Sequence, residues 1–205
     1  ELIQSFTVGQ PTQLNQTEII TDASCFGGSD GAIDVTVSGG TAPYTYNWTP
    51  PSTNEDLINI SAGAYNLTVM DVNSCIMITN HIVGEADSIE VTAVITDVLC
   101  YGISMGGITT TVTGGTPTYS YEWSSGESTS GISGIPAGTY DITVTDSNSC
   151  LAYDSFIVNE NPAIAIVDSI TDVSCFGLAD GIVDITVSGF VPPYTYLWSN
   201  GDTTE

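Results

Sequence analysis

The sequence has 205 residues, with 24 acidic side chains, one histidine and no lysine or arginine, so its formal net charge is −24 and its pI is about 4.1. A chain without lysine or arginine cannot displace the counterions of nucleic acid, and it cannot contain a Walker lysine, an arginine finger or a lysine Schiff base. Because 41% of the residues are hydrophobic and the mean hydropathy is +0.19, we expect a folded protein rather than a disordered acidic chain.

An internal repeat with a step of 75 residues organises the chain. The register predicts that residues 1–11 are the last strand of a preceding repeat, and that residues 162–205 are the first half of a third repeat. Between them lie two complete repeats, residues 12–86 and 87–161. The residues that recur with this step, without gaps, are Cys25, Cys100 and Cys175; Cys75 and Cys150; Trp48, Trp123 and Trp198; and Tyr65 and Tyr140. We therefore expect a segment of a longer array.

Each repeat shows the two-residue period that is typical of half-buried strands. In the first repeat, apolar and polar residues alternate over 33–38, 44–48 and 65–69, and Gly, Pro, Asn and Asp mark the turns between these segments. This pattern predicts an all-β fold of tandem immunoglobulin-like antiparallel β-sandwiches with about seven strands each. The expected core aromatic residues are Trp48, Trp123, Trp198, Tyr65 and Tyr140.

Very short segments, 84–87 and 159–162, join the repeats. Neither has the composition of a flexible Gly/Ser linker, and Pro162 stiffens the second one. We therefore expect a stiff, end-to-end array.

The two cysteines of each complete repeat are 50 residues apart. One disulfide per repeat, Cys25 with Cys75 and Cys100 with Cys150, is the simplest pairing, and it leaves Cys175 unpaired within this sequence. An alternative pairs Cys75 with Cys100 across the repeat boundary, and another leaves the thiols free. Zinc is not expected, since there is neither a CxxC pair nor a histidine cluster. Disulfides would place the protein in an oxidising compartment.

Oxygen-bearing loop side chains are candidate Ca²⁺ ligands. Met105 replaces Asp30 in the second repeat, and no EF-hand motif is present. Since Asp and Asn also form ordinary turns, the alternative is turn chemistry on a soluble acidic surface. Turn chemistry is the favoured interpretation, so we expect no cofactor; if Ca²⁺ were bound, its candidate ligands would be Asp22, Asp30, Asp71, Asn73, Asp146 and Asn148.

Neither the aromatic residues nor the histidine indicates catalysis. The row Tyr44, Tyr46, Trp48 could stack against a sugar, but packing in the sandwich core explains it better. His81 occupies the repeat position of Phe6 and Phe156, which indicates packing rather than a catalytic base. No triad of nucleophile, base and orienting residue can be assembled, so we expect a protein that is not an enzyme.

Three stretches resemble the SprB repeat: Ser-Cys-Phe-Gly-Gly-Ser-Asp-Gly at 24–31, the strand and turn at 35–48, and Ala-Gly-Thr-Tyr-Asp-Ile-Thr-Val-Thr-Asp-Ser-Asn-Ser-Cys at 137–150. The resemblance covers nearly the whole chain. The second repeat departs from the pattern at Leu99, Tyr101 and Met105, and the third has Phe-Val-Pro at 190–192 where the first has Gly-Thr-Ala.

The resemblance implies a β-sandwich related to PKD and immunoglobulin-like domains, in very large surface adhesins of gliding Bacteroidetes. It implies export by type IX secretion, display as filaments on the outer membrane, and a part in gliding motility. The expected function is thus a structural stalk segment of a cell-surface adhesin filament. The alternatives are carbohydrate-binding repeats, a subunit of a polymerising pilus, and accessory domains of a secreted hydrolase.

The expected partners are neighbouring repeats of the same chain and, through other regions of the protein, an external surface or polysaccharide. Nucleic acid is not expected as a partner, because the chain has no lysine or arginine. Direct membrane insertion is not expected, because no run of 18 apolar residues occurs.

Overall fold

The computed structural model describes residues 3–204, in which strands are joined by turns and loops and no helix occurs. Among these described residues, therefore, no helix is long and apolar enough to cross a membrane. The strands of the first repeat are β1 (Asn15–Thr21), β2 (Gly31–Ser38), β3 (Thr45–Thr49), β4 (Leu57–Ile60), β5 (Gly63–Met70) and β6 (Ile76–Val83). Those that follow are β7 (Glu90–Thr96), β8 (Gly106–Thr113), β9 (Ser120–Trp123), β10 (Gly131–Ile135), β11 (Gly138–Thr145), β12 (Leu151–Val158), β13 (Ala165–Thr171) and β14 (Ile182–Ser188).

The strands of the first repeat form two antiparallel sheets with the orders β1-β2-β4 and β3-β5-β6. Ile20 lies opposite Ile33 in the first sheet, and Trp48 lies opposite Leu67 in the second. Because successive side chains of a strand point to opposite faces, this register turns one apolar row of each sheet inward.

The core of the first repeat lies between these sheets. Ile33 and Val35 of β2 meet Trp48, Leu67 and Val69 of β3 and β5, and each of the five side chains is at most 2% exposed. Burying an aliphatic or aromatic side chain in this way contributes about 1.5–3 kcal/mol. The alternation that was read from the sequence is therefore the source of the sandwich core.

The first repeat has six regular strands rather than the expected seven or so. The difference lies in residues 50–56, which turn back after β3 without forming a strand. The backbone NH of Trp48 donates to the Ser52 carbonyl at 3.0 Å, and the NH of Val35 donates to Oδ1 of Asp56 at 2.9 Å. The first bond turns the irregular segment back beside β3, and the second holds its end beside β2 just before β4 begins.

The described residues form two compact units. The first unit contains the described part of Glu1–Glu90 together with Thr113–Tyr119 and Thr145–Leu151, which are two loops of the second repeat. The second unit contains Val91–Val112, Ser120–Val144 and the described part of Ala152–Glu205.

In the second unit, the strands of the second repeat again form two three-stranded sheets, β10-β8-β7 and β12-β11-β9. Ile108, Trp123, Ile142 and Val144 are buried there, at the positions that Ile33, Trp48, Leu67 and Val69 occupy in the first repeat. The equivalence of the two cores confirms that the repeat is structural, and each of these two repeats is an immunoglobulin-like antiparallel β-sandwich.

The third segment contributes one two-stranded sheet, β13-β14. Trp198 was expected in a core but is only partly buried. The physical reason is that, within residues 162–204, no second sheet covers it. Residues 3–11 lie outside any strand, so their assignment to a preceding repeat stays a prediction, and residues 1–2 and 205 lie outside the described part.

Candidate functional site at the repeat junction

The carboxylates of Asp22 and Glu85 form hydrogen bonds at the end of the first repeat, next to the linker to the second. Oδ1 of Asp22, just after β1, accepts the backbone NH of Gly84 at 2.7 Å. Glu85 reaches back in the opposite sense, and its Oε2 accepts the NH of Gly27 at 2.5 Å. Negatively charged carboxylates are strong hydrogen-bond acceptors for backbone NH groups. The loop that carries Cys25 is thereby fastened to the linker that follows β6.

A buried aspartate shapes the loop at the other end of the repeat, between β5 and β6. Oδ1 of Asp71 accepts the backbone NH groups of Cys75 and Asn73, both at 2.9 Å, and Oδ2 accepts that of Thr41, also at 2.9 Å. The bond from Cys75 first, and those from Thr41 and Asn73, hold the pKa of Asp71 below its ordinary value. Asp71 therefore fixes the position of Cys75.

The second repeat builds the same loop around Asp146. Its Oδ2 accepts the NH of Thr116 at 2.7 Å, and its Oδ1 accepts those of Asn148 and Cys150, both at 2.9 Å. The bond from Thr116 first, then those from Cys150 and Asn148, lower the pKa of Asp146. The loops of Cys75 and Cys150 are thus equivalent in detail, and the sequence had shown only that both contain Asp, Asn and Cys.

The disulfide pairing corrects the prediction from the sequence. Cys25 is bonded to Cys150, with their Cα atoms 5.6 Å apart and a sequence separation of 125 residues. The expected bonds Cys25–Cys75 and Cys100–Cys150 are not formed, and neither is the alternative Cys75–Cys100. Cys75, Cys100 and Cys175 are free and exposed.

Strand direction explains why Cys25 cannot reach Cys75. Gly63 of β5 lies opposite Val83 at the end of the sheet near Cys25, whereas Met70 lies opposite Ile76 at the end that carries Cys75. The eight residues of β5 separate these ends by about 23 Å, while a disulfide requires Cα atoms within about 7 Å. The predicted bond would have to cross the full length of the sandwich.

The bonded loops also make noncovalent contacts. The side-chain amide of Asn148 donates to the Ser24 carbonyl at 3.2 Å, and the NH of Gly115 donates to the Asp87 carbonyl at 2.8 Å. Gly114 has a φ of +74°, and a Cβ added there would lie 1.9 Å from the Ser88 carbonyl oxygen. Only glycine fits this position, so the linker between the repeats is held by the turn after β8.

The candidate Ca²⁺ ligands serve other contacts. The carboxylates of Asp22, Asp71 and Asp146 accept backbone NH groups, as described above. Oδ2 of Asp30 accepts the Ser24 hydroxyl at 2.5 Å, a bond that lowers the pKa of Asp30. The backbone NH groups of Asn73 and Asn148 donate to Asp71 and Asp146. Within residues 3–204, no three His, Cys, Asp or Glu side chains are placed to hold a metal ion. Ca²⁺ binding at these residues stays an untested alternative.

The predicted core aromatics of the first two repeats are buried. Trp48 is 1% exposed and its Nε1–H donates to the Asn54 carbonyl at 2.9 Å, while Trp123 makes the equivalent bond to Thr129. Tyr65 and Tyr140 are also buried, and their hydroxyls donate to the carbonyls of Ser61 and Pro136. The faces of these two tryptophans are therefore unavailable for stacking against a sugar.

His81 is a buried packing residue in the first repeat. Its ring lies 5.3 Å from that of Trp48, the equivalent of the Trp123–Phe156 contact in the second repeat. Nε2 lies 2.9 Å from the hydroxyl of Thr79, and Nδ1 contacts the carboxylate of Glu18. The sequence indicated the packing position but not the Glu18 partner, which reaches His81 from another strand.

Comparison with known protein families gives one assignment. The family model described as "SprB repeat" matches residues 17–53, 92–128 and 167–203, which together make up more than half of the chain. The three matches repeat with the same 75-residue step as the cysteines and tryptophans. No curated protein matches the chain.

Solved structures similar to the chain share little sequence identity with it. The N-terminal eight Ig domains of Down Syndrome Cell Adhesion Molecule are 10% identical, with a TM-score of 0.37, over 73% of this chain and 25% of that one. A C-terminal intimin fragment, solved with the intimin-binding domain of the translocated intimin receptor, is 15% identical with a TM-score of 0.35, over 78% and 67%. Domains 4–9 of surface layer protein SbsC are 14% identical with a TM-score of 0.30, over 96% and 38%. Scores this low carry no inference about function.

Proposed function

Because the chain belongs to the SprB repeat family, we propose that it is a structural, non-catalytic stalk segment of a long, repetitive adhesin filament on the cell surface. In this role the repeats hold an adhesive region away from the cell, and the specific contacts with an external surface or polysaccharide are made elsewhere in the protein. The filament is exported by type IX secretion, associated with the outer membrane, and used in gliding motility.

The observation that carries the proposal is the covalent joint between successive repeats. Cys25 of the first repeat is bonded to Cys150 of the second, and the linker at Asp87 is hydrogen-bonded to the turn at Gly115. This bond joins a loop of one repeat to a loop of the next. It resists the separation of neighbouring modules, which is what a stalk requires.

Surface labelling tests the location and the role in motility. Antibodies raised against the 205-residue chain are applied to intact cells of the source organism, with permeabilised cells as the control. We expect labelled filaments outside intact cells, and labels that travel along the surface of gliding cells. Labelling that requires permeabilisation would contradict surface display, and stationary labels on gliding cells would contradict the role in motility.

A binding assay separates the stalk from the carbohydrate-binding alternative. The purified chain is passed over immobilised polysaccharides and glass, with a known carbohydrate-binding module as the positive control. The stalk function predicts no saturable binding, since Trp48 and Trp123 are buried in the cores. Saturable binding to one polysaccharide would favour the alternative function.

A further inference from the structure

The disulfide between Cys25 and Cys150 changes how tension passes along the chain. Its two cysteines are 125 residues apart in sequence and belong to successive repeats. When the chain is pulled by its ends, force that arrives at Cys25 passes directly through the two sulfur atoms to Cys150. The polypeptide between the two cysteines lies in a closed loop outside the path of the force.

We propose that this disulfide limits the extension of the chain under tension, so that the modules it spans cannot lengthen the stalk even if they unfold. Unfolded polypeptide extends by about 3.3–3.6 Å per residue, so the loop of 125 residues withholds about 430 Å of length. The biological meaning of this limit rests on the proposed stalk function, but the mechanical effect does not.

The position of the bond suits this role better than a bond within each repeat would. A bridge between Cys25 and Cys75 would enclose one sandwich and leave the joint to the next repeat open to stretching. The observed bond encloses the joint itself, including the linker held at Gly114 and the loop held by Asp146. It also encloses nearly all of both complete repeats, since only residues 12–24 and 151–161 of those repeats lie outside it.

The free cysteines provide matched controls. Cys75 lies in the first repeat's counterpart of the Cys150 loop, held by Asp71 as Cys150 is held by Asp146. Cys100 lies in the second repeat's counterpart of the Cys25 loop. Both thiols are exposed and free, so their replacement should not affect the bond.

Single-molecule stretching of the whole chain, tethered at its two ends, tests the proposal. We expect the fully extended oxidised chain to be about 430 Å shorter than the same chain in a reducing agent. Cys25→Ser and Cys150→Ser should each give the longer length without reducing agent. Cys75→Ser and Cys100→Ser should keep the shorter length.

Equal lengths for the oxidised and reduced chains would overturn the proposal, as would a longer chain on Cys75→Ser replacement. Counting thiols with a maleimide gives a second measurement that does not depend on stretching. The unreduced chain should take up three labels, at Cys75, Cys100 and Cys175, and a single label at Cys175 would overturn the pairing. A chain that passes these tests but is absent from the cell surface would contradict only the stalk function.

Discussion

At the residue scale, the buried apolar row accounts for the stability of each repeat. Leu67 of β5 is fully buried between the two sheets, whereas Ile78 of the neighbouring β6 is 71% exposed. Leu67→Ala should lower the free energy of unfolding by about 2–5 kcal/mol through lost burial and a cavity. Ile78→Ala should change it by less than about 0.5 kcal/mol. Urea unfolding of both variants measures the difference, and equal losses would show that the row does not form the core.

The pH dependence of stability should follow the buried aspartates. The bonds from Cys75, Thr41 and Asn73 lower the pKa of Asp71 below its ordinary value of 3.8. The carboxyl group of Asp71 therefore binds its proton less tightly in the folded state than in the unfolded state. The ionised carboxylate stabilises the fold above about pH 4, and this stabilisation is lost as the pH falls through the folded-state pKa.

Comparing Asp71→Asn with the wild type tests this sign. The stability difference between the two proteins should be larger at about pH 6 than at about pH 3, as measured by urea unfolding. Asp34→Asn, on the exposed face of β2, controls for the loss of one negative charge. A difference that grows on acidification would contradict the assignment.

At the scale of elements, the turn after β8 holds the linker between the first two repeats. Gly114 and Gly102 share a φ of +74°, but an added Cβ would meet the Ser88 carbonyl at Gly114 and nothing within 4 Å at Gly102. Gly102→Ala should cost about 1–2 kcal/mol for its left-handed backbone alone. Gly114→Ala should cost more, since backbone must also shift. Chemical denaturation of both variants compares the costs, and similar values would show that the linker is not held there.

At the scale of the whole molecule, the disulfide makes neighbouring repeats a single covalent unit. Closing this loop of 125 residues stabilises the folded state by about 5 kcal/mol in the chain-entropy model. The junction between the second and third repeats resembles the junction between the first and second. At the later junction, Tyr101 lines a cavity with Cys100, Pro162, Ile164 and Phe190. At the earlier one, its counterpart Phe26 lines a cavity with Ala86 and Thr113. Cys100 therefore lies where a completed third repeat would bring its own counterpart of Cys150.

A lengthened chain tests this arrangement. Adding a second copy of residues 131–161 after Glu205 completes the third repeat in register, and the copied cysteine should bond to Cys100. We expect two free thiols, Cys75 and Cys175, rather than three, by maleimide counting. The same extension with serine at the copied Cys150 position should leave three. Three free thiols in both chains would show that the bond does not recur.

Much of the fold follows from the sequence because its causes are local. The two-residue alternation in 33–38 and 65–69 selects the buried face of each strand, and gap-free repetition of Cys, Trp and Tyr gives the same core twice. The sequence places Asp71 and Asp146 in loops. It does not show their role in positioning cysteines, since that role depends on bonds to Thr41 and Thr116, 30 residues away along the chain.

By itself, the sequence determined the repeat period, the all-β class and the buried residues of the two complete sandwiches. Only the tertiary structure decided which cysteines meet. The pairing depends on how many times the chain runs from one end of the repeat to the other between Cys25 and Cys75. The irregular segment 50–56 makes one of these passes, and its sequence has no strand pattern that would reveal it. That one pass puts Cys75 at the far end from Cys25 and leaves Cys25 to bond with the next repeat.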